Sequence, residues 1–131
     1  MKRKAILIDK NTHNTTFILV DALNAAEILP YVMQDEVDKE IKEIRALLKE
    51  NLRNAEKYLK ADVSEKAKNI YEMRFVRNKR NDRIYCKEIT FNRKRYIVMI
   101  ELYVGKKTQE ISKKIKPRIE IMGGYDYELE C

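Results

Sequence analysis

Between residues 35 and 60, apolar side chains recur at steps of three and four: Val37, Ile41, Ile44, Leu48, Leu52, Ala55 and Leu59. That spacing marks one face of a helix and predicts a helix over residues 35–60. Asp35 is placed to cap its first turn, and Leu47 and Tyr58 widen the stripe enough to cover a sheet. A shorter helix precedes it, opened by a capping box at Asn24–Glu27 and kinked or ended by Pro30.

Elsewhere the period changes. KAILID near the N-terminus reads as a strand. TTFILV at 15–20 is ambiguous by pattern; its β-branched residues favour a strand, which would close a hairpin through KNTHN. Three further runs follow: NIYEMRFV (69–76), RIYCKEITF (83–91) and RYIVMIELYV (95–104). The links RNKRND and NRK suit tight turns, so these runs predict an antiparallel meander. The last run is apolar on both faces, as a covered central strand should be. In the tail, alternating residues flank Gly123-Gly124, the signal of a hairpin; a helix through them would cost roughly 1 kcal/mol per glycine relative to alanine. The expected fold is a single α+β domain over residues 1–131. It has an antiparallel sheet, made of the three-strand meander plus an N-terminal strand, with two helices packed on one face.

Composition adds direction. The 131 residues carry a formal charge of +7, unevenly spread. Between Arg74 and Arg118 there are 15 Lys and Arg against 4 Asp and Glu, a surplus of +11, whereas the rest carries 13 against 17, or −4. Clustered positive charge is what a polyphosphate partner requires, because steering and counterion release scale with it. The two cysteines, Cys86 and Cys131, form no disulfide framework, so a reducing compartment is expected. AILI is too short for a signal peptide or a membrane span, which points to the cytoplasm and no membrane partner. The single histidine, His13, lies in a predicted turn and the cysteines have no ligand spacing, so neither a metal nor a cofactor is expected.

Within the basic region, alternation puts Tyr71, Met73 and Phe75 on one side of their strand and Arg74 on the other. Arg74 must reach the rim, pair with a neighbouring glutamate or find an anion. Arg83 opens the next strand and shares a face with Tyr85 and Lys87. Arginine's planar fork suits bidentate phosphate contact. Lys106 and Lys107 end the last strand, in YIVMIELYVGKKTQ, where backbone geometry can aim them. Arg77, Lys79, Arg80, Arg93, Lys94 and Arg95 fall in the meander's turns and, with Lys87 and Lys113, are candidates for contacts to an RNA backbone. A lysine or tyrosine working near neutral pH needs a lowered pKa, and clustered cations push it that way.

The strings YEMRF, DRIYC and YIVMIELYVGKKTQ, in that order and after a strand and a long helix, resemble the RelE/HigB/ParE superfamily of small bacterial and phage toxins, HigB-type members in particular. The resemblance covers residues 4–117. It implies a ribosome-dependent endoribonuclease that cleaves mRNA and is held inactive by a partner antitoxin. In such chemistry the 2′-hydroxyl attacks its own phosphate, needing orientation, proton transfer and cations for the transition state, but no metal. Arg74, Arg83, Lys106 and Lys107 match the strings and would be catalytic. The chain departs from the family after the last strand, where Pro117 and Gly123-Gly124 interrupt the expected helix and no family tyrosine or histidine has a clear counterpart. Ser112 and Lys113 are nearest, and Tyr125 or Tyr127 would have to fold back; Tyr125 is the expected catalytic phenol. Two other classes fit the charge: a ParE-like non-enzymatic inhibitor of DNA gyrase, and a phage or mobile-element regulator that binds nucleic acid.

Overall fold

The computed structural model describes residues 2–52, 54, 56–61, 64–76, 81–105 and 108–129, with backbone alone for 108–114. Among these residues six strands form one mixed sheet, in the spatial order β1 (Ala5–Lys10), β2 (Thr16–Asp21), β6 (Lys94–Tyr103), β5 (Asp82–Phe91), β4 (Ile70–Phe75) and β3 (Tyr58–Lys60). Three α-helices accompany it: α1 (Ala25–Val32), α2 (Asp35–Lys49) and α3 (Thr108–Gly123).

The expected meander is present, with β4, β5 and β6 paired antiparallel in sequence. TTFILV is a strand, joined to β1 in the expected hairpin, and every residue of β2 is buried. The sheet is larger than the sequence suggests, and it is not purely antiparallel. β2 runs parallel to β6, pairing Thr16 with Arg95 through Val20 with Met99. A parallel pair needs a long crossover, here supplied by α1, α2 and the first two meander strands. Two central strands apolar on both sides then require cover on both faces.

Alternation along the strands supplies two cores. Ile18, Val20, Met73, Ile84, Ile97 and Met99 face α1 and α2, meeting Ile28, Ile41 and Ile44. Phe17, Leu19, Ile70, Tyr85 and Val98 face the other way and meet Ile115, Ile119 and Met122 of α3. The two expected helices therefore share one face, and a third, α3, covers the other. Ile18 is wholly buried at the centre, where truncation to alanine should cost about 2–5 kcal/mol.

The helix expected over 35–60 stops at Lys49. Asn51 takes a left-handed conformation (φ 56°), its N–H donates to the Leu48 carbonyl, and Leu52 N–H reaches back to the Leu47 carbonyl at 2.8 Å. This is a Schellman ending with asparagine where glycine is commoner. Leu52 is then exposed, and Tyr58–Lys60 becomes edge strand β3 instead of a helical turn. The expected caps also differ. Asp35 is the first helical residue and not the cap, though it still places negative charge at the helix's positive end. Asn24 donates its side chain to the Ile100 carbonyl at 2.7 Å instead of capping α1, and α1 runs through Pro30 to Val32.

The tail is helical through Gly123, not a hairpin about the glycines. A Cβ at Gly123 would lie 2.3 Å from the Lys66 carbonyl oxygen and 3.0 Å from Ala67 Cα. The glycine lets α3 press onto the 3-10 turn at Glu65–Ala67, and that contact outweighs its poor helix propensity. Beyond it, Tyr127 bridges to Arg3 and its hydroxyl donates to the buried Asp21 carboxylate at 2.6 Å.

Candidate functional site

The register of the meander sets Arg74 of β4 directly beside Arg83 of β5, and Arg83 beside Tyr103 of β6. Period two then puts Glu72, Arg74, Arg83, Tyr85 and Lys87 on the face that carries α3, with Arg83 beside Tyr85 and Lys87 as expected from the sequence. A bulge in β6 opposite Tyr85 and Cys86 turns Glu101 towards the same cluster.

Glu72 organises the arginines. It is buried, accepts a hydrogen bond from Arg74 Nε at 2.6 Å, and lies 3.7 Å from an Arg83 terminal nitrogen. Of the two cations Arg74 is the reachable one, its side chain 36% exposed against 11% for Arg83. The buried Nε of Arg83 has no hydrogen-bond partner among the described residues. A buried N–H left without an acceptor is costly and is a place for an anion to bind. Beside it, Tyr85 and Tyr103 meet edge to face at 5.6 Å. Tyr103 donates to Glu101 at 2.6 Å, and Arg118 of α3 closes the network on the other oxygen of Glu101.

These environments hold both phenols in their protonated form. Burial raises the Tyr85 pKa, and the Glu72 charge adds to it against a hydrogen bond from Arg83. Burial raises Tyr103 further, with the hydrogen bond to Glu101 in support. The expectation that clustered cations would lower a tyrosine pKa fails here, because desolvation and neighbouring carboxylates outweigh the arginines. The phenols can donate protons near neutral pH but cannot accept them. The Arg118 guanidinium is held still more firmly in its charged form by Glu101.

Gly105 marks where β6 leaves the sheet. Its N–H donates to the buried Asp82 carboxylate, whose other oxygen accepts the Tyr31 hydroxyl at 2.5 Å. A Cβ at Gly105 would stand 2.9 Å from the same Asp82 oxygen, so glycine permits the close approach. Lys106 and Lys107, and likewise Arg77, Lys79 and Arg80, lie outside the described residues; Lys113 falls in the stretch of α3 described by backbone alone.

The remaining sequence candidates go elsewhere. Tyr125 is not brought to the arginines. Its ring lies 4.0 Å under the Arg3 guanidinium, and its carbonyl accepts from Lys87, four residues along β5 from Arg83 and so roughly 13 Å away. Lys87 donates to the Gly123 and Tyr125 carbonyls, at 3.0 and 2.5 Å, capping the end of α3 rather than facing solvent; burial lowers its pKa. Arg95 pairs with Glu88 at 3.2 Å and donates to the Leu48 carbonyl and Asn51 at the end of α2. Lys94 lies 5.6 Å over the Phe17 ring, and Arg93 is exposed in the β5–β6 turn. Pairing of Arg74 with a neighbouring glutamate was one of the alternatives the sequence left open, and Glu72, on Arg74's face, is that glutamate. The Tyr103–Glu101–Arg118 group had no local signal, since it depends on the bulge and on where α3 docks.

No protein-family model, curated protein or solved structure matches this chain. Among the described residues no helix is long and apolar enough to cross a membrane.

Proposed function

We propose that this chain is a toxin of a toxin–antitoxin pair, acting as a ribosome-dependent mRNA endoribonuclease. The observation that carries the reading is the register that sets Arg74 beside Arg83 on one sheet face, with the buried Arg83 Nε unpartnered among the described residues. A strand, a helical pair and a three-strand meander ending in Lys-Lys-Thr support it as the arrangement implied by the RelE/HigB/ParE resemblance.

In this reading the scissile phosphate approaches Arg74 first, the more exposed cation, and then reaches Arg83. Two guanidiniums address the non-bridging oxygens and oppose the charge that grows as the 2′-oxygen attacks phosphorus and the 5′-oxygen departs. Glu72 fixes both forks in place. A phenol held protonated suits donation to the departing 5′-oxygen, and Lys106 or Lys107 is left to take the 2′-hydroxyl proton. The products are a 2′,3′-cyclic phosphate and a 5′-hydroxyl. An antitoxin would neutralise the protein by covering this face with acidic residues.

A second reading has a specific observation in its favour. Glu72 and Glu101 already pair with the arginines, and both phenols are unable to act as bases, which suits a ParE-like contact with gyrase that performs no chemistry. Inducible expression with and without the neighbouring gene, followed by mapping of mRNA 5′ ends, separates the two. New 5′ ends that need intact ribosomes and vanish on co-expression of the neighbour are expected; growth arrest with no mRNA cleavage would move the reading to gyrase.

A further inference from the structure

At the end of the sheet away from Arg83, three segments distant in sequence enclose a cleft of about 560 Å³. They are the β1–β2 turn, the end of α2 and the β5–β6 turn. Every described residue lining it is polar or charged, and Glu50 is its one acid against Lys10, Lys49, Arg93, Lys94 and Arg95.

The cations divide into two groups. Lys49 pairs with Asp9 at 3.2 Å, Arg95 with Glu88, and Lys94 rests over Phe17. Lys10, Arg93 and Lys94 have no carboxylate partner among the described residues, so a ligand meets three charges that no carboxylate compensates. The rim is built to be rigid. Asn11 accepts from the Thr15 and Thr16 amides at 2.8 and 3.1 Å, closing the β1–β2 turn. In the opposite turn both Asn92 and Arg93 are left-handed (φ 52° and 63°), as a two-residue hairpin requires. Glycine fills the second position with least strain; here the position holds an arginine, which projects a cation at the mouth of the cleft.

We propose that this cleft binds the phosphodiester backbone of a folded RNA, independently of the cleavage assigned to Arg74 and Arg83. Cations interspersed with hydroxyl and amide groups (Thr12, Thr90, Asn51) match phosphate and sugar oxygens, whereas a protein partner's docking core calls for aromatic and aliphatic anchors that the cleft lacks. Thr90 lines the cleft seven residues along β5 from Arg83, roughly 23 Å at the rise of a strand, so the two sites touch different parts of any shared RNA.

The test is fluorescence anisotropy of a labelled RNA hairpin with the purified full-length protein across a potassium chloride series, with no ribosomes present. Lys10→Ala/Arg93→Ala should weaken binding about tenfold and reduce the salt slope by about 2, while Lys39→Ala/Lys42→Ala on α2, removing equal charge, should change neither. Unchanged melting temperatures establish that both variants are folded. The proposal is overturned if wild-type protein does not bind the hairpin at low salt, if the cleft variant matches wild type, or if the α2 variant falls as far. It is equally overturned if an acidic peptide binds as tightly as the hairpin with the same loss in the cleft variant, which would assign the cleft to a protein.

Discussion

Arg95 and Arg83 stand towards opposite ends of the same antiparallel pair, are similarly buried, and each faces a glutamate, yet their donors are used very differently. Arg95 reaches two Glu88 oxygens, the Leu48 carbonyl and Asn51, so its guanidinium ties β6 to β5 and closes the end of α2. Among the described residues Arg83 has one contact to Glu72 at 3.7 Å, a hydrogen bond towards Tyr85, and a buried Nε with no partner. Lys87, midway, sides with Arg95 in capping a helix. A cation's charge alone does not separate a structural role from a binding one; the count of donors left over does.

The sharpest way to break that contrast is to remove each arginine in turn. On the proposed endoribonuclease reading, Arg83→Ala should slow mRNA cleavage on the order of a hundredfold or more in a ribosome-programmed assay, with little loss of melting temperature. Arg95→Ala should do the reverse. Removing the cation from half-buried Glu88, which keeps the Tyr58 hydroxyl, and one of two donors from the Leu48 carbonyl should cost about 1–3 kcal/mol, read as a lower midpoint in urea, with cleavage per folded molecule unchanged. Equal losses of stability from both would erase the distinction.

A smaller effect tests whether the anchored end is set by close packing. On helix propensity alone Gly123→Ala should stabilise α3 by up to about 1 kcal/mol. Because the new methyl would meet backbone at 2.3 Å, overpacking of about 1–3 kcal/mol should win, and the urea midpoint should fall. Gly124→Ala, whose nearest contact is 3.4 Å, should change it far less.

These contrasts explain which parts of the molecule could be read from its sequence. The meander was legible, since period two and short turns determine its pairing, but only the observed register puts Arg74 and Arg83 side by side on one face. The inner face of α2 was legible through Val37, Ile41, Ile44 and Leu48, but Leu52 and Leu59 continued the period by coincidence. Only the left-handed Asn51 shows where the helix stops. Pairing of β2 with β6 was not legible, because nothing local to either strand specifies a partner some eighty residues away. The roles of Lys87 and Arg95 were hidden similarly: each answers helix carbonyls that arrive from another element. Gly123 looked like a turn because its close neighbour, Lys66, lies far off in the chain.

The smallest effect concerns how dry the Arg83 end is. Burial first, and then the hydrogen bond to Glu101, raises the Tyr103 pKa far above its ordinary value of 10.0. Below that value neither the folded nor the unfolded chain ionises the phenol, and its contribution to stability is full. Above it the unfolded chain loses the proton while the folded chain keeps it, so the unfolded state binds fewer protons and stability falls as pH rises. Tyr58 and Tyr127 are raised in the same direction, so the whole protein should weaken above about pH 10. Tyr103→Phe removes one share of that decline. Near neutral pH it should cost about 0.5–1.5 kcal/mol, as Glu101 loses a donor but keeps Arg118. Between about pH 10 and 11 its melting temperature should fall less steeply than that of the wild type. A slope identical to wild type would mean that water reaches Tyr103, and the leftover donor of Arg83 beside it would then be hydrated rather than waiting for a phosphate.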